Sequence, residues 1–86
     1  MTIKKELIKR DIAGDTVLVP VGKTVYDSNG LFILNELGGF LWDLLPEAEN
    51  EDFLVAAVLR EYEAEEAEVR RDIAEFLEKL RQMNII

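Results

Sequence analysis

Four consecutive apolar residues, Leu31-Phe32-Ile33-Leu34, most constrain how this chain can fold. They lie between a turn-rich Asp27-Ser28-Asn29-Gly30 segment and Asn35, a residue type that often caps helices. In a strand, successive side chains point to opposite faces, so a half-solvated strand alternates apolar and polar residues. The run therefore predicts a strand that is covered on both faces or that is available for a partner to cover.

The composition excludes several classes of protein before any motif is considered. At 86 residues, with 49% hydrophobic and 33% charged residues, the chain is expected to form one packed domain over residues 1–86. It has no cysteine and no histidine, so it lacks a thiol nucleophile, thiolate ligands and the commonest general base. We therefore expect no catalytic residue, no metal site, no cofactor and no enzymatic activity of the chain alone.

Charge and hydropathy limit the partners that the chain can bind. Its 18 acidic and 10 basic residues give a net charge of −8, which opposes sequence-independent attraction to nucleic acid. No apolar stretch approaches the ~20 residues that span a bilayer, and the N-terminal residues lack the apolar segment of a signal peptide. The sequence predicts a cytoplasmic protein that binds neither nucleic acid nor membrane.

The periodicity of apolar residues changes once, from strand-like to helical. Short segments rich in β-branched residues predict three strands, near Glu6–Ile12, Thr16–Val19 and Leu31–Leu34. Pro20 is expected at a strand end or on an edge, because it cannot donate to a ladder. Thr24-Val25-Tyr26 can extend either the second or the third strand, and the sequence does not decide between them.

Three helices are predicted after the strands. The first runs from a cap at Asn35 to just before Pro46, and its Gly38-Gly39 pair implies a close approach or compensating packing. The second starts at Asn50, and the third covers about Glu65–Met83. Apolar residues at helical spacing are expected to face the core: Leu37, Phe40, Leu41 and Leu44, then Val55, Val58, Leu59 and Tyr62, then Val69, Ile73, Phe76, Leu77 and Leu80.

This order of elements predicts an α+β fold, with a three-stranded antiparallel sheet followed by a three-helix bundle, as in winged helix-turn-helix domains. In the third helix, Glu66–Arg70 and Glu75–Lys79 are spaced for ion pairs one turn apart. The acidic residues at 61–68 are interpreted as a solvated helix junction rather than a metal site. Trp42 is interpreted as a packing residue, with docking of an enzyme as the alternative.

Three segments of the chain carry a resemblance to a known family: Leu34–Leu45 with Asn35 and Trp42, the apolar-Arg-Arg-Asp-Ile segment Val69–Leu80, and the pair Ile85-Ile86. In this order and spacing, over about Leu7–Ile86, the chain resembles the PqqD family. That family comprises the pyrroloquinoline quinone biosynthesis protein D and the recognition elements of ribosomally made, post-translationally modified peptides (RiPPs). The chain departs from relatives at Pro46-Glu47, where an acidic-glycine turn is frequent, and at Asn84, where glycine is frequent.

The resemblance implies a non-catalytic module that captures the leader segment of a precursor peptide and presents it to a modifying enzyme, commonly a radical S-adenosylmethionine (radical SAM) enzyme. In such systems the leader adds as a strand beside the third strand, in a groove against the third helix. The peptide-binding residues that this implies are Leu31, Phe32, Ile33 and Leu34 on the strand, and Val69, Arg70, Ile73 and Phe76 on the helix. A free strand edge that serves as a template for a guest would account for the apolar run.

Other functions fit parts of the same pattern. A winged-helix DNA-binding regulator fits the layout, but the third helix opens with glutamates where a recognition helix needs basic residues. A small acidic carrier protein would need a helix to start at Ser28, which Asn29-Gly30 follows instead. An ordinary core strand, and a homodimer formed through the free strand, remain open alternatives.

Overall fold

The structure of the chain, a computed structural model, describes residues 1–22 and 32–86. Over these residues it contains three strands followed by three helices. The strands are β1 (Leu7–Ile12), β2 (Asp15–Pro20) and β3 (Phe32–Leu34), and the helices are α1 (Glu36–Leu44), α2 (Glu51–Glu61) and α3 (Glu66–Gln82). The predicted α+β fold is confirmed.

Three parts of the sequence interpretation lie outside the described residues. They are Leu31 of the apolar run, the Asp27-Ser28-Asn29-Gly30 turn, and the segment Thr24-Val25-Tyr26.

A two-residue hairpin loop joins β1 to β2. Ile12 pairs with Asp15 across this loop, and both loop residues have positive φ, 50° at Ala13 and 86° at Gly14. Positive φ at both central residues gives a turn whose twist matches the twist of the flanking strands. At its other end β2 finishes on Pro20, at a strand end as the sequence predicted.

The register of β3 resolves which face of the apolar run is buried. The sheet is antiparallel, with the order β1-β2-β3, and Phe32 pairs with Leu18 while Leu34 pairs with Thr16. Leu34 is 5% exposed and Phe32 is half-buried against the core, whereas Ile33, on the opposite face, is 66% exposed. One face of β3 therefore belongs to the core and the other meets solvent.

Asparagine side chains fix the starts of α1 and α2. Oδ1 of Asn35 accepts a hydrogen bond from the Gly38 N–H at 2.7 Å, and Oδ1 of Asn50 accepts one from the Phe53 N–H at 3.0 Å. Each bond satisfies one of the N–H groups that a helix leaves free in its first turn. In the described part of the chain, no helix is long and apolar enough to cross a membrane.

The end of α3 is closed by Asn84, which adopts the left-handed conformation with φ of 59°. Its N–H donates to the Arg81 carbonyl at 3.0 Å, and the Ile85 N–H donates to the Leu80 carbonyl at 2.8 Å. This Schellman arrangement satisfies two carbonyls of the last turn, and asparagine tolerates the backbone conformation that it requires. Ile85 is buried, and its carbonyl accepts from the Lys4 N–H at 2.6 Å, which ties the N-terminal segment to the end of α3.

The core lies between the inner face of the sheet and the three helices. Trp42 is 7% exposed, in agreement with its interpretation as a packing residue. On α2, Leu54 and Ala57 are also buried, so this helix buries a wider face than the predicted stripe. The largest fully buried side chains are Leu18, Leu41, Leu45, Leu54, Val58, Ile73, Leu77, Leu80 and Ile85.

The Gly38-Gly39 pair lies buried in α1, where the sheet and the cap approach the helix. A Cβ at position 39 would lie 3.6 Å from Thr16 Cγ2, an ordinary contact, whereas a Cβ at position 38 would lie 3.1 Å from Oδ1 of Asn35. Alanine stabilises a helix by about 1 kcal/mol relative to glycine. Gly39→Ala is therefore expected to raise the free energy of unfolding by about 0.5–1 kcal/mol in urea denaturation.

Gly38→Ala is the matched control for this prediction. Crowding of the cap oxygen should reduce or cancel the gain, because the Asn35 side chain must shift to accommodate the new methyl group. A larger gain from Gly38→Ala than from Gly39→Ala would contradict this account.

Candidate functional site

A groove with a volume of about 560 Å³ opens between β3, the start of α1 and one side of α3. Twelve of the described residues line it: Asp15, Phe32, Ile33, Leu34, Asn35, Leu37, Gly38, Leu41, Asp72, Glu75, Phe76 and Lys79. The groove thus combines an apolar floor with several charged side chains at its rim.

Within the described part of the chain, β3 borders this groove with an edge that no other strand covers. The sheet order ends at β3, which pairs on one side only, with β2, among the strands of residues 1–22 and 32–86. A strand at a sheet edge presents N–H and C=O groups that have no ladder partner. A second chain in extended conformation can bond to these groups and direct alternate side chains into the groove.

The floor of the groove is built from side chains that also contact the core. Phe32, Leu37 and Phe76 are each half-buried and pack against the core cluster. Their remaining apolar surface faces the groove, and covering it would be favourable by about 25 cal/mol per Å². Asn35, whose side chain caps α1, holds the end of β3 and the start of the helix together at this site.

The side of α3 that faces the groove is next to the side that faces the core. Val69 and Ile73, predicted as the groove wall, are 3% and 0% exposed and do not line the groove. The most apolar stripe of an amphipathic helix packs into the core, so the stripe about a quarter of a turn away faces the groove. Its residues follow helical spacing: Asp72, Glu75, Phe76 and Lys79.

Arg70 lies on the side of α3 that faces α2 rather than the groove. Its guanidinium donates to Oδ1 of Asp52 at 2.9 Å and to Oε2 of Glu66 at 3.2 Å. The hydrogen bond to Asp52, followed by that to Glu66, raises the pKa of Arg70 above its ordinary value. The predicted Glu66–Arg70 ion pair is confirmed, whereas Glu75 and Lys79 form no ion pair with any described residue.

Half of the residues that the sequence predicted for peptide binding therefore meet at one groove, namely Phe32, Ile33, Leu34 and Phe76. Their binding roles stay predictions. Eight described lining residues were not predicted for peptide binding: Asp15, Asn35, Leu37, Gly38, Leu41, Asp72, Glu75 and Lys79. Asp72 and Lys79 lie about one helical turn from Phe76, at −4 and +3, so helical spacing from this predicted residue was the available signal for those two.

A second, smaller depression lies at the start of α2, away from the groove. Its lining residues are Glu47, Glu49, Asn50, Asp52 and Phe53. Within the described ranges, no three or more acidic, histidine or cysteine residues are arranged to hold a metal ion.

The fold and the groove define a class of protein: a small α+β domain that offers a strand edge beside a helix. A family model described as Coenzyme PQQ synthesis protein D (PqqD) matches residues 15–86. The chain belongs to the PqqD family, and the resemblance seen in the sequence is confirmed.

A solved structure described as "TbiB1 in Complex with the TbiA(beta) Leader Peptide" is similar to this chain over nearly its whole length. The two chains share 27% sequence identity with a TM-score of 0.73, and the alignment covers 99% of this chain and 93% of the other. No curated protein matches the chain significantly.

Proposed function

We propose that this chain is a non-catalytic recognition module for a RiPP precursor peptide. It binds the leader segment of the precursor by strand addition beside β3, in the groove against α3, and delivers it to a modifying enzyme of the radical SAM class. Membership of the PqqD family supports this proposal, as does the structural similarity to a protein that is in complex with a leader peptide.

The observation that carries the proposal is the outer edge of β3, which no strand of residues 1–22 and 32–86 pairs with, beside a partly exposed apolar floor. A strand edge alone would bind extended chains with little selectivity, because main-chain groups are the same in every peptide. The half-buried side chains of Phe32, Leu37 and Phe76 add surfaces that only suitable side chains of the guest can cover.

The expected affinity is moderate. Roughly four main-chain hydrogen bonds contribute ~1 kcal/mol each, and two or three buried side chains contribute ~1.5–3 kcal/mol each. Ordering a previously flexible leader costs several kcal/mol. The balance corresponds to a Kd of about 0.1–10 μM, which allows the peptide to leave after modification.

The first test uses a synthetic leader from a short precursor-like open reading frame beside this gene. Titration into isotopically labelled protein should shift the amide signals of Phe32–Leu34 and of the α3 residues around Phe76. Signal changes confined to the depression around Phe53 would contradict the proposed site. If a second copy of the chain occupies the β3 edge instead, the protein forms a dimer, and analytical ultracentrifugation would show a mass that rises with concentration.

Phe76→Ala is expected to weaken leader binding roughly 10-fold. The ring contributes ~1.5 kcal/mol of buried apolar surface to the complex, since only its groove-facing part is covered by the guest. Fluorescence anisotropy with a labelled leader measures the change.

Phe53→Ala is the matched control, because Phe53 is a partly exposed aromatic residue on α2 that lines the other depression. The Phe53→Ala variant should bind the leader with the same affinity as the unmodified protein. Equal losses in both variants would mean that the leader does not bind against α3.

A further inference from the structure

We propose that the groove selects guests that carry a lysine or arginine side chain in the segment lying along β3. This inference rests on the proposed peptide-binding function and adds a chemical class to the guest. It comes from the charges at the rim, where the described lining residues include three carboxylates, those of Asp15, Asp72 and Glu75, and one amine, that of Lys79.

None of these four side chains takes part in an ion pair within the described residues. Two other cations of α3 do form ion pairs: Arg70 with Asp52 and Glu66, and Arg81 with Glu51 of α2 and Glu78 of α3. Among the residues of ranges 1–22 and 32–86 that line the groove, carboxylates therefore exceed amines by two. A cationic guest side chain would supply the missing counter-charge.

The shape of the site also fits a long cationic side chain. Lysine and arginine can lay their aliphatic stems on apolar surface while the charged head reaches polar groups. Phe32 and Phe76 provide such a surface, and Asp72 and Glu75 stand beside it on α3. The net charge of −8 further favours encounter with a cationic segment through long-range attraction.

The test is selection from a yeast-displayed library of random 14-residue peptides against the full chain. Peptides that depend on the groove are identified by their loss of binding to the Phe76→Ala variant. We expect them to combine alternate apolar residues with lysine or arginine enriched at least threefold over the starting library.

Charge variants locate the origin of this preference. The double variant Asp72→Asn/Glu75→Gln should lower the affinity for a selected cationic peptide about three- to tenfold at low salt and should weaken its salt dependence. Glu47→Gln/Glu49→Gln changes the net charge equally at the other depression and is expected to lower the affinity less than twofold.

Groove-dependent peptides without basic enrichment would overturn the charge preference and leave the peptide-binding function standing. Equal losses of affinity in the two double variants would also overturn it, because the preference would then come from overall charge. If no groove-dependent peptide is selected at all, the proposed function fails, and the charge preference fails with it.

Discussion

A proline introduced in β3 at the position whose N–H points away from β2 is expected to lower the affinity for the leader roughly 100-fold. Proline has no N–H, and its ring obstructs a strand that approaches this edge. The guest would lose ladder bonds worth ~1 kcal/mol each, together with the placement of its side chains in the groove. Anisotropy with a labelled leader measures the loss.

Two neighbouring substitutions serve as controls for each other. In an antiparallel strand the N–H groups of successive residues point in opposite directions, so only one of Phe32→Pro and Ile33→Pro removes an outward donor. The other variant removes a bond to β2 and should melt at a lower temperature. Ile33→Ala keeps the donor and separates the contribution of the side chain. If both proline variants fold and both bind the leader with unchanged affinity, strand addition at β3 is excluded.

Ile73→Ala is expected to lower the free energy of unfolding by about 2–5 kcal/mol. The side chain is fully buried on the core stripe of α3, so the substitution leaves a cavity that a thin core cannot easily fill. Since small domains are stable by only about 5–15 kcal/mol, this loss would take much of the total. Urea denaturation of the whole chain measures it.

Ile73→Val provides the conservative comparison, with an expected loss of about 0.5–1.5 kcal/mol. Neither variant should change the affinity of the folded protein for the leader, because Ile73 does not line the groove. A folded Ile73→Ala variant with selectively weakened binding would place Ile73 in contact with the guest, as the sequence predicted.

The local structure of this chain could be predicted because its determinants are short in range. Asparagine caps at Asn35 and Asn50 depend on hydrogen bonds to residues three positions further on, and both are confirmed. Pro20 ends β2 for an equally local reason, the absence of an N–H. The apolar stripe of α3 follows from its spacing, and four of its five residues are buried, all but the half-buried Phe76.

The composition of the groove could not be predicted in the same way. Spacing reveals which helix face is most apolar, but it does not reveal which neighbour that face meets. Val69 and Ile73 were predicted for both core and groove; in the structure both side chains are buried and neither lines the groove. Only Phe76 lies where the two stripes meet, so it packs on the core and also lines the groove.

The sequence by itself determined the α+β order of elements and the helix caps. It also determined that one strand is apolar on both faces, which burial of a single face does not explain. The tertiary structure decided that Leu34 faces the core while Ile33 faces solvent, and that Asp72, Glu75 and Lys79 stand across the groove from β3. The difference is one of range. Caps and periodicity act within a turn or two of chain, but a groove is formed by elements some 40 residues apart in sequence, whose relative rotation is set only when the shared core packs.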